Sequence, residues 1–109
     1  MLFFPSKPNP YLEDPDVVLM MSFKEGDQKA FDAILDRNYQ KVFAFICRMI
    51  GDEASGEDLT QDVFMKLYGM KAAYQARSKL TTLLFQIARN ASLNYLRSHK
   101  THVSLDQEM

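Results

Sequence analysis

The stretch TTLLFQIARNASLNYLRSHK, Thr81–Lys100, decides how this chain folds. With Leu80 just before it, Leu84, Ile87, Ala91 and Tyr95 fall on one stripe at about 100° per residue, the spacing of an amphipathic helix. The spacing predicts a helix over 81–98 that packs this stripe against other helices. The opposite face carries Gln86, Arg89, Asn90, Arg97 and Lys100, with Leu93 among them. Phe85 and Leu96 lie at its edge. No acidic residue occurs anywhere in the stretch.

Working outward, the rest of the chain supplies the surfaces that stripe needs. Ser55-Gly-Glu-Asp58 resembles a capping box opening a helix whose apolar side is Leu59, Val63, Phe64 and Leu67, with Gly69 as its stop. Before it, Asp27 can cap a long helix with Phe31, Ile34, Leu35, Val42, Phe43, Ile46 and Ile50 at spacings of three, four and seven, closed by Gly51. Asp14-Pro15-Asp16 places a cap, a first-turn proline and an acid at the start of another helix, which runs to about Lys24 and ends at Gly26. No strand signal, repeat or low-complexity run interrupts this order. Short connections between four helices predict an all-α fold, a small four-helix bundle over residues 14–98. Residues 1–13, with Pro5, Pro8 and Pro10, read as an irregular arm. Residues 99–109 read as a polar linker or tail.

A chain of 109 residues suits one domain. The net charge of −1 hides a division. Met1–Asp62 holds six Lys/Arg and twelve Asp/Glu, whereas Val63–Leu105 holds seven Lys/Arg and no acid. Charge segregated by sign points to partners of opposite sign. Cys47 is the single cysteine, which excludes an internal disulfide and favours a reducing, cytoplasmic setting. Its place in FAFICRMI marks it as a small core residue. The MLFF opening is too short for a signal-peptide core, and VVLMMSF is too short to span a bilayer, so no membrane association is expected.

The acid-free face admits two readings. It can be an ordinary solvated helix face, or it can await an anion. Solvated faces normally mix signs, because spaced ion pairs favour the helix and like charges oppose it. Amides can read base edges while Arg and Lys hold phosphates, and Tyr74 and Phe85 are candidate stacking surfaces for an unpaired base. Asp58, Gln61 and Asp62 raise the converse question. Acids near a helix start are stabilising in themselves. Yet Asp58 and Asp62, four apart on one face, also suit docking to a basic partner.

Three motifs, GDQKAFDAILDRNYQKVFAF, GEDLTQDVFMKLY and TTLLFQIARNASLNYLR, resemble, in that order, the second conserved region of bacterial sigma factors, and the extracytoplasmic-function group best. The resemblance covers about residues 14–98. It implies a helical bundle of the sigma region 2 type. One helix would dock on the clamp helices of the largest subunit of core RNA polymerase, and Asp58, Gln61 and Asp62 fall in that motif. Another helix, with the loop before it, would recognise and melt the promoter minus-ten element and capture a base flipped from the non-template strand. Tyr74 falls where the family's loop offers an aromatic ring to that base, and Asn90 falls near the base pocket. Arg89, Arg97 and Lys100 would hold phosphates. An anti-sigma factor covering the same surfaces is a further implied partner.

Three departures qualify the resemblance. Leu83 stands where the family usually has tryptophan, and Gln86 where a basic residue is common. After His99 nothing can form the second helical domain that reads the minus-thirty-five element, as expected of an excised domain or a truncated factor. The rival class is a helical protein-interaction module that binds a protein partner without reading DNA. An enzyme is the weakest class. No nucleophile has a base beside it, and no glycine loop can cradle phosphate. His99 and His102 form a metal-like pair only in the expected tail, where no carboxylate or thiol accompanies them, so neither a metal nor a cofactor is expected.

Overall fold

The computed structural model describes the backbone of residues 8–108 and the side chains of residues 8–99. Its helices are α1 (Pro15–Lys24), α2 (Gln28–Ile50), α3 (Glu53–Gly69) and α4 (Leu80–Glu108), preceded by a short 3-10 turn, Pro10–Glu13. No strand occurs among the described residues. α2 lies at the centre and packs on α1, α3 and α4. The expected all-α four-helix arrangement is the one observed.

The helix ends follow from local chemistry. Asp14 caps α1 with Pro15 inside its first turn, and Asp27 caps α2 by accepting the Lys29 N–H at 3.1 Å. Gly51 ends α2 in the left-handed region, φ 72°, where a side chain would be strained. The start of α3 differs from expectation. Asp52, not Ser55, is its cap, accepting the Ala54 N–H at 3.2 Å and the Ser55 hydroxyl at 2.6 Å. A carboxylate one turn upstream can satisfy two donors, which the serine alone cannot. α4 also runs past the expected helix boundary at residue 98, and residues 99–108 continue it.

The core joins all four helices. Val17, Met20, Phe23, Ile34, Val42, Ile46, Val63, Leu67, Leu80 and Leu84 have essentially no exposure, each worth about 1.5–3 kcal/mol of apolar burial. Phe23, Phe31 and Tyr68 form an aromatic group with ring centroids 5.0–5.1 Å apart. On α4 the buried line runs Leu80, Leu84, Ala88 and Ser92. Ile87, Ala91 and Tyr95 flank it and are half-buried. The stripe read from the sequence was therefore displaced by about one position, because Ala88 and Ser92 pack closely without being large apolar residues.

Two positions explain how closely the helices approach. Gly56 is buried against Cys47, and a Cβ at Gly56 would lie 2.5 Å from the Cys47 Sγ. The Cys47 thiol is thus a packing element between α2 and α3. Its pKa is pushed up by burial, then by the charges of Glu53 and Asp52. Asp16, 5% exposed, accepts from the Arg37 Nε at 2.7 Å, which pairs the carboxylate buried at the start of α1 with α2.

Candidate nucleic-acid and protein interfaces

The segment between α3 and α4, residues 70–79, folds back over the start of α4. With Leu83 and Gln86 of α4 it encloses a hollow of about 450 Å³, rimmed by Gln75, Arg77 and Ser78. A second, shallower concavity of about 420 Å³ lies beyond Gln86, lined by Phe45, Thr81, Thr82, Phe85 and Arg89. Its wall is an edge-on pair of rings, Phe45 and Phe85, with centroids 5.1 Å apart. Gln86 borders both hollows.

Gln86, Arg89, Asn90 and Arg97 are all exposed, as the face analysis requires. They occupy one side of α4 over 11 positions, about 16 Å at the helical rise. The side chain of Lys100 lies outside the described residues. Amide donors and acceptors therefore sit beside guanidinium groups, and α4 carries no carboxylate among its described side chains, an arrangement suited to a polyanion that also presents base edges.

Tyr74 requires a correction. Expected as an open stacking surface, its side chain is 4% exposed and belongs to the core. A ring of this size buries considerable apolar area, and a short segment closing over α1 and α4 has few other residues able to do so. Burial, followed by the charge of Asp14, pushes the phenol pKa up, and its hydroxyl has no hydrogen-bond partner among the described residues. What little of it remains accessible contributes to the hollow. The groups presented there are Gln75 and Arg77, which donates from Nη2 to Gln75 Oε1 at 2.5 Å. Neither is legible from the chain alone, because a polar segment without periodicity does not reveal which side chains converge.

Asp58, Gln61 and Asp62 are exposed along α3. They crown a ridge with a groove on each side. Toward α2, Gln61 borders a groove of about 250 Å³ floored by Phe31, Leu35, Tyr39 and Phe64. Toward α4, Asp62 borders a groove of about 600 Å³ that includes Leu59, Ile87 and Tyr95. Met65, 72% exposed, lines both. Phe64 is 3% exposed and belongs to the core, as its periodicity indicated. Met65 and the paired grooves were not foreseen, since they arise only when α3 stands proud of its neighbours. At the end of the larger groove the Tyr95 hydroxyl donates to the Ser55 Oγ at 3.1 Å, and Ser55 donates to Asp52 at 2.6 Å. These bonds, that of Ser55 foremost, hold the exposed Asp52 carboxyl below the usual carboxylate range against a smaller opposing effect of desolvation.

Among the described residues no cluster of His, Cys, Asp or Glu could hold a metal ion, and no helix is long and apolar enough to cross a membrane. His99 stacks on Tyr95 with centroids 3.8 Å apart, and the side chain of His102 lies outside the described residues.

Comparison with known proteins gives a consistent result. The family described as Sigma-70 region 2 matches residues 34–102. The chain is 33% identical over 86 residues to the ECF RNA polymerase sigma factor SigW of Bacillus subtilis, covering 79% of this chain and 46% of that protein. It is 35% identical over 83 residues to the ECF RNA polymerase sigma-E factor of Escherichia coli K12, covering 74% and 42%. The chain thus spans about half the length of the curated relatives it matches. A solved structure titled as an engineered region 2 of sigmaE in complex with GTAAAA superposes with a TM-score of 0.71 at 31% identity, covering 80% of this chain and 90% of that one.

Proposed function

This chain belongs to the sigma-70 family as a region 2 domain, and on that premise we propose that it docks on core RNA polymerase and recognises and melts the promoter minus-ten element to direct transcription initiation. The observation that carries the reading is the exposed, acid-free face of Gln86, Arg89, Asn90 and Arg97, set against the hollow under residues 70–79. The solved complex of sigmaE region 2 with GTAAAA supports it, because that domain has the same fold.

In this mechanism the protein catalyses no bond change. A flipped base must regain the few kcal/mol lost on leaving its stack. The hollow rimmed by Gln75, Arg77 and Gln86 receives it, with Tyr74 as part of one wall. Asn90 selects among bases of the non-template strand by hydrogen bonding, and Arg89, Arg97 and Lys100 hold its phosphates, so affinity falls as salt rises. The isolated domain binds DNA weakly, and the polymerase completes the channel.

The α3 ridge supplies the protein contact. Asp58, Gln61 and Asp62, standing between two apolar grooves, suit the clamp helices of the largest subunit if those carry basic groups beside apolar ones. An anti-sigma factor would act by covering the same surfaces. Such a protein works in the cytoplasm, beside the polymerase.

The test is retention of the 109-residue chain on immobilised core polymerase, followed by binding to a panel of minus-ten single strands. Retention that Asp62→Lys abolishes, with unequal affinity across the panel, is the expected result. Retention without any preference among strands would leave the protein-interaction module as the correct reading.

A further inference from the structure

Within residues 70–79 the backbone bonds to itself through the Ala73 N–H to the Met70 carbonyl at 3.1 Å and the Arg77 N–H to the Gln75 carbonyl at 3.0 Å, which leaves the carbonyls of Tyr74 and Ala76 to other partners. Tyr74, Gln75 and Ala76 have neither helix nor turn structure. The carbonyls on either side of Gln75 are instead held from the N-terminal part of the chain. Lys24 Nζ donates to the Tyr74 carbonyl at 2.6 Å, and Asn9 Nδ2 donates to the Ala76 carbonyl at 2.9 Å. The far end of the segment is fixed by Asp14, which accepts the Leu80 N–H at 3.0 Å. At the near end the Lys71 ammonium lies 4.8 Å from the Phe23 ring centroid. Asn9, Asp14, Phe23 and Lys24 all precede residues 34–102, the span that the family pattern matches.

We propose that Lys24 and Asn9 are positioning residues for base selection, gripping the carbonyls of Tyr74 and Ala76 so that Gln75 and Arg77 face the hollow in one fixed arrangement. The inference rests on the reading that the hollow receives a base. Discrimination between bases depends on donors and acceptors held to within about 0.5 Å of their productive positions. Gln75 sits between the two gripped carbonyls and accepts from Arg77. Rotation of either peptide plane therefore moves both rim groups. The Lys24 contact is the stronger anchor, because a hydrogen bond from a charged donor is worth about twice a neutral one. Lys24 also ends α1, where the helix dipole favours a cation and steadies the ammonium. Neither residue lines the hollow itself.

The experiment measures the 109-residue chain bound to core polymerase against GTAAAA and every single-base substitution of it. The quantity read is the spread between the tightest and weakest strands. Lys24→Met should narrow that spread by about tenfold, the worth of one charge-assisted hydrogen bond. Retention on polymerase should stay at the parent level, and Lys24→Arg should restore most of the spread. Asn9→Ala, an exposed residue outside the core, should narrow it by about threefold, which keeps the test open if Lys24→Met folds poorly. An unchanged spread in both variants, or a parallel loss for all strands, would show a merely structural role and overturn the inference. A parent chain with no spread at all would overturn the base-binding reading and this inference with it.

Discussion

One carboxylate oxygen of Asp14 accepts the backbone N–H of Leu80 at 3.0 Å, while the other accepts that of Asp16 at 3.4 Å. A single side chain thus caps α1 and fastens the first turn of α4, 66 residues away. Removing it strands donors at two helix starts. Asp14→Ala should therefore cost more than one ordinary cap, about 2–3 kcal/mol, measured by urea unfolding. Asp14→Asn keeps an acceptor for one of the two and should fall between. A loss no larger than that of one ordinary cap, about 1 kcal/mol, for Asp14→Ala would show that the second cap contributes nothing.

The buried hydroxyl of Tyr74 offers a substitution expected to stabilise. It is shielded from solvent with no hydrogen-bond partner among the described residues, so the fold bears its desolvation uncompensated. Tyr74→Phe should raise stability by about 1 kcal/mol and leave strand preference intact. Tyr74→Ala should lower stability by about 3–5 kcal/mol, as for other large buried rings, so loss of DNA binding in that variant would report on folding. Thermal unfolding of the two variants side by side separates these effects.

Much of the fold is readable in the chain because the apolar positions of α2 and α3 recur at helical spacing and because Asp14, Asp27 and Gly51 carry unmistakable end chemistry. Asn38 was not readable. It is 1% exposed and turns its amide back to the Ile34 carbonyl at 3.0 Å, a local bond that hides a polar residue in an apolar stripe. The α4 face was legible for the same reason as the helices, periodicity. The hollow was not, since it depends on contacts such as Lys24 to Tyr74 across 50 positions. Tyr74 itself shows the limit most clearly, because an aromatic residue in a segment without periodicity gives no sign of which way its ring turns.

Gly56 and Cys47 should behave as a coupled pair. Gly56→Ala places a methyl 2.5 Å from the thiol sulfur, so the helices must shift, at about 1–3 kcal/mol. Cys47→Ala vacates that space. The double variant should recover most of the loss, and a thermodynamic cycle with a coupling near zero would show that the helices part for another reason.

The Asp52 carboxyl gives a pH signature. Its folded pKa lies below the ordinary value, chiefly through the Ser55 hydroxyl. The sign follows directly: its stabilising contribution is present above the unfolded pKa and is lost as pH falls through the folded one. NMR titration should place the Asp52 midpoint lower in the folded than in the unfolded chain, and Ser55→Ala should move it upward.

On α4, Arg89 and Asn90 should separate affinity from selectivity. Arg89→Gln should weaken all single strands alike and reduce the log–log salt slope by about 0.7. Asn90→Ala should lower discrimination at one strand position by about 1–3 kcal/mol while leaving that slope unchanged. Fluorescence anisotropy at several salt concentrations reads both. A position-specific loss in Arg89→Gln would reverse the two assignments.

Because the Tyr74 ring is built into the interior while Gln75 and Arg77 stand at the rim, the two sets of residues face different evolutionary constraints. On the proposed function, a lineage could exchange Gln75 or Arg77 and drift to a new set of promoters with its fold intact. Loss of the ring at Tyr74 would first have to survive as a weaker protein, so diversification among such domains should run along the rim and keep an aromatic side chain in the interior.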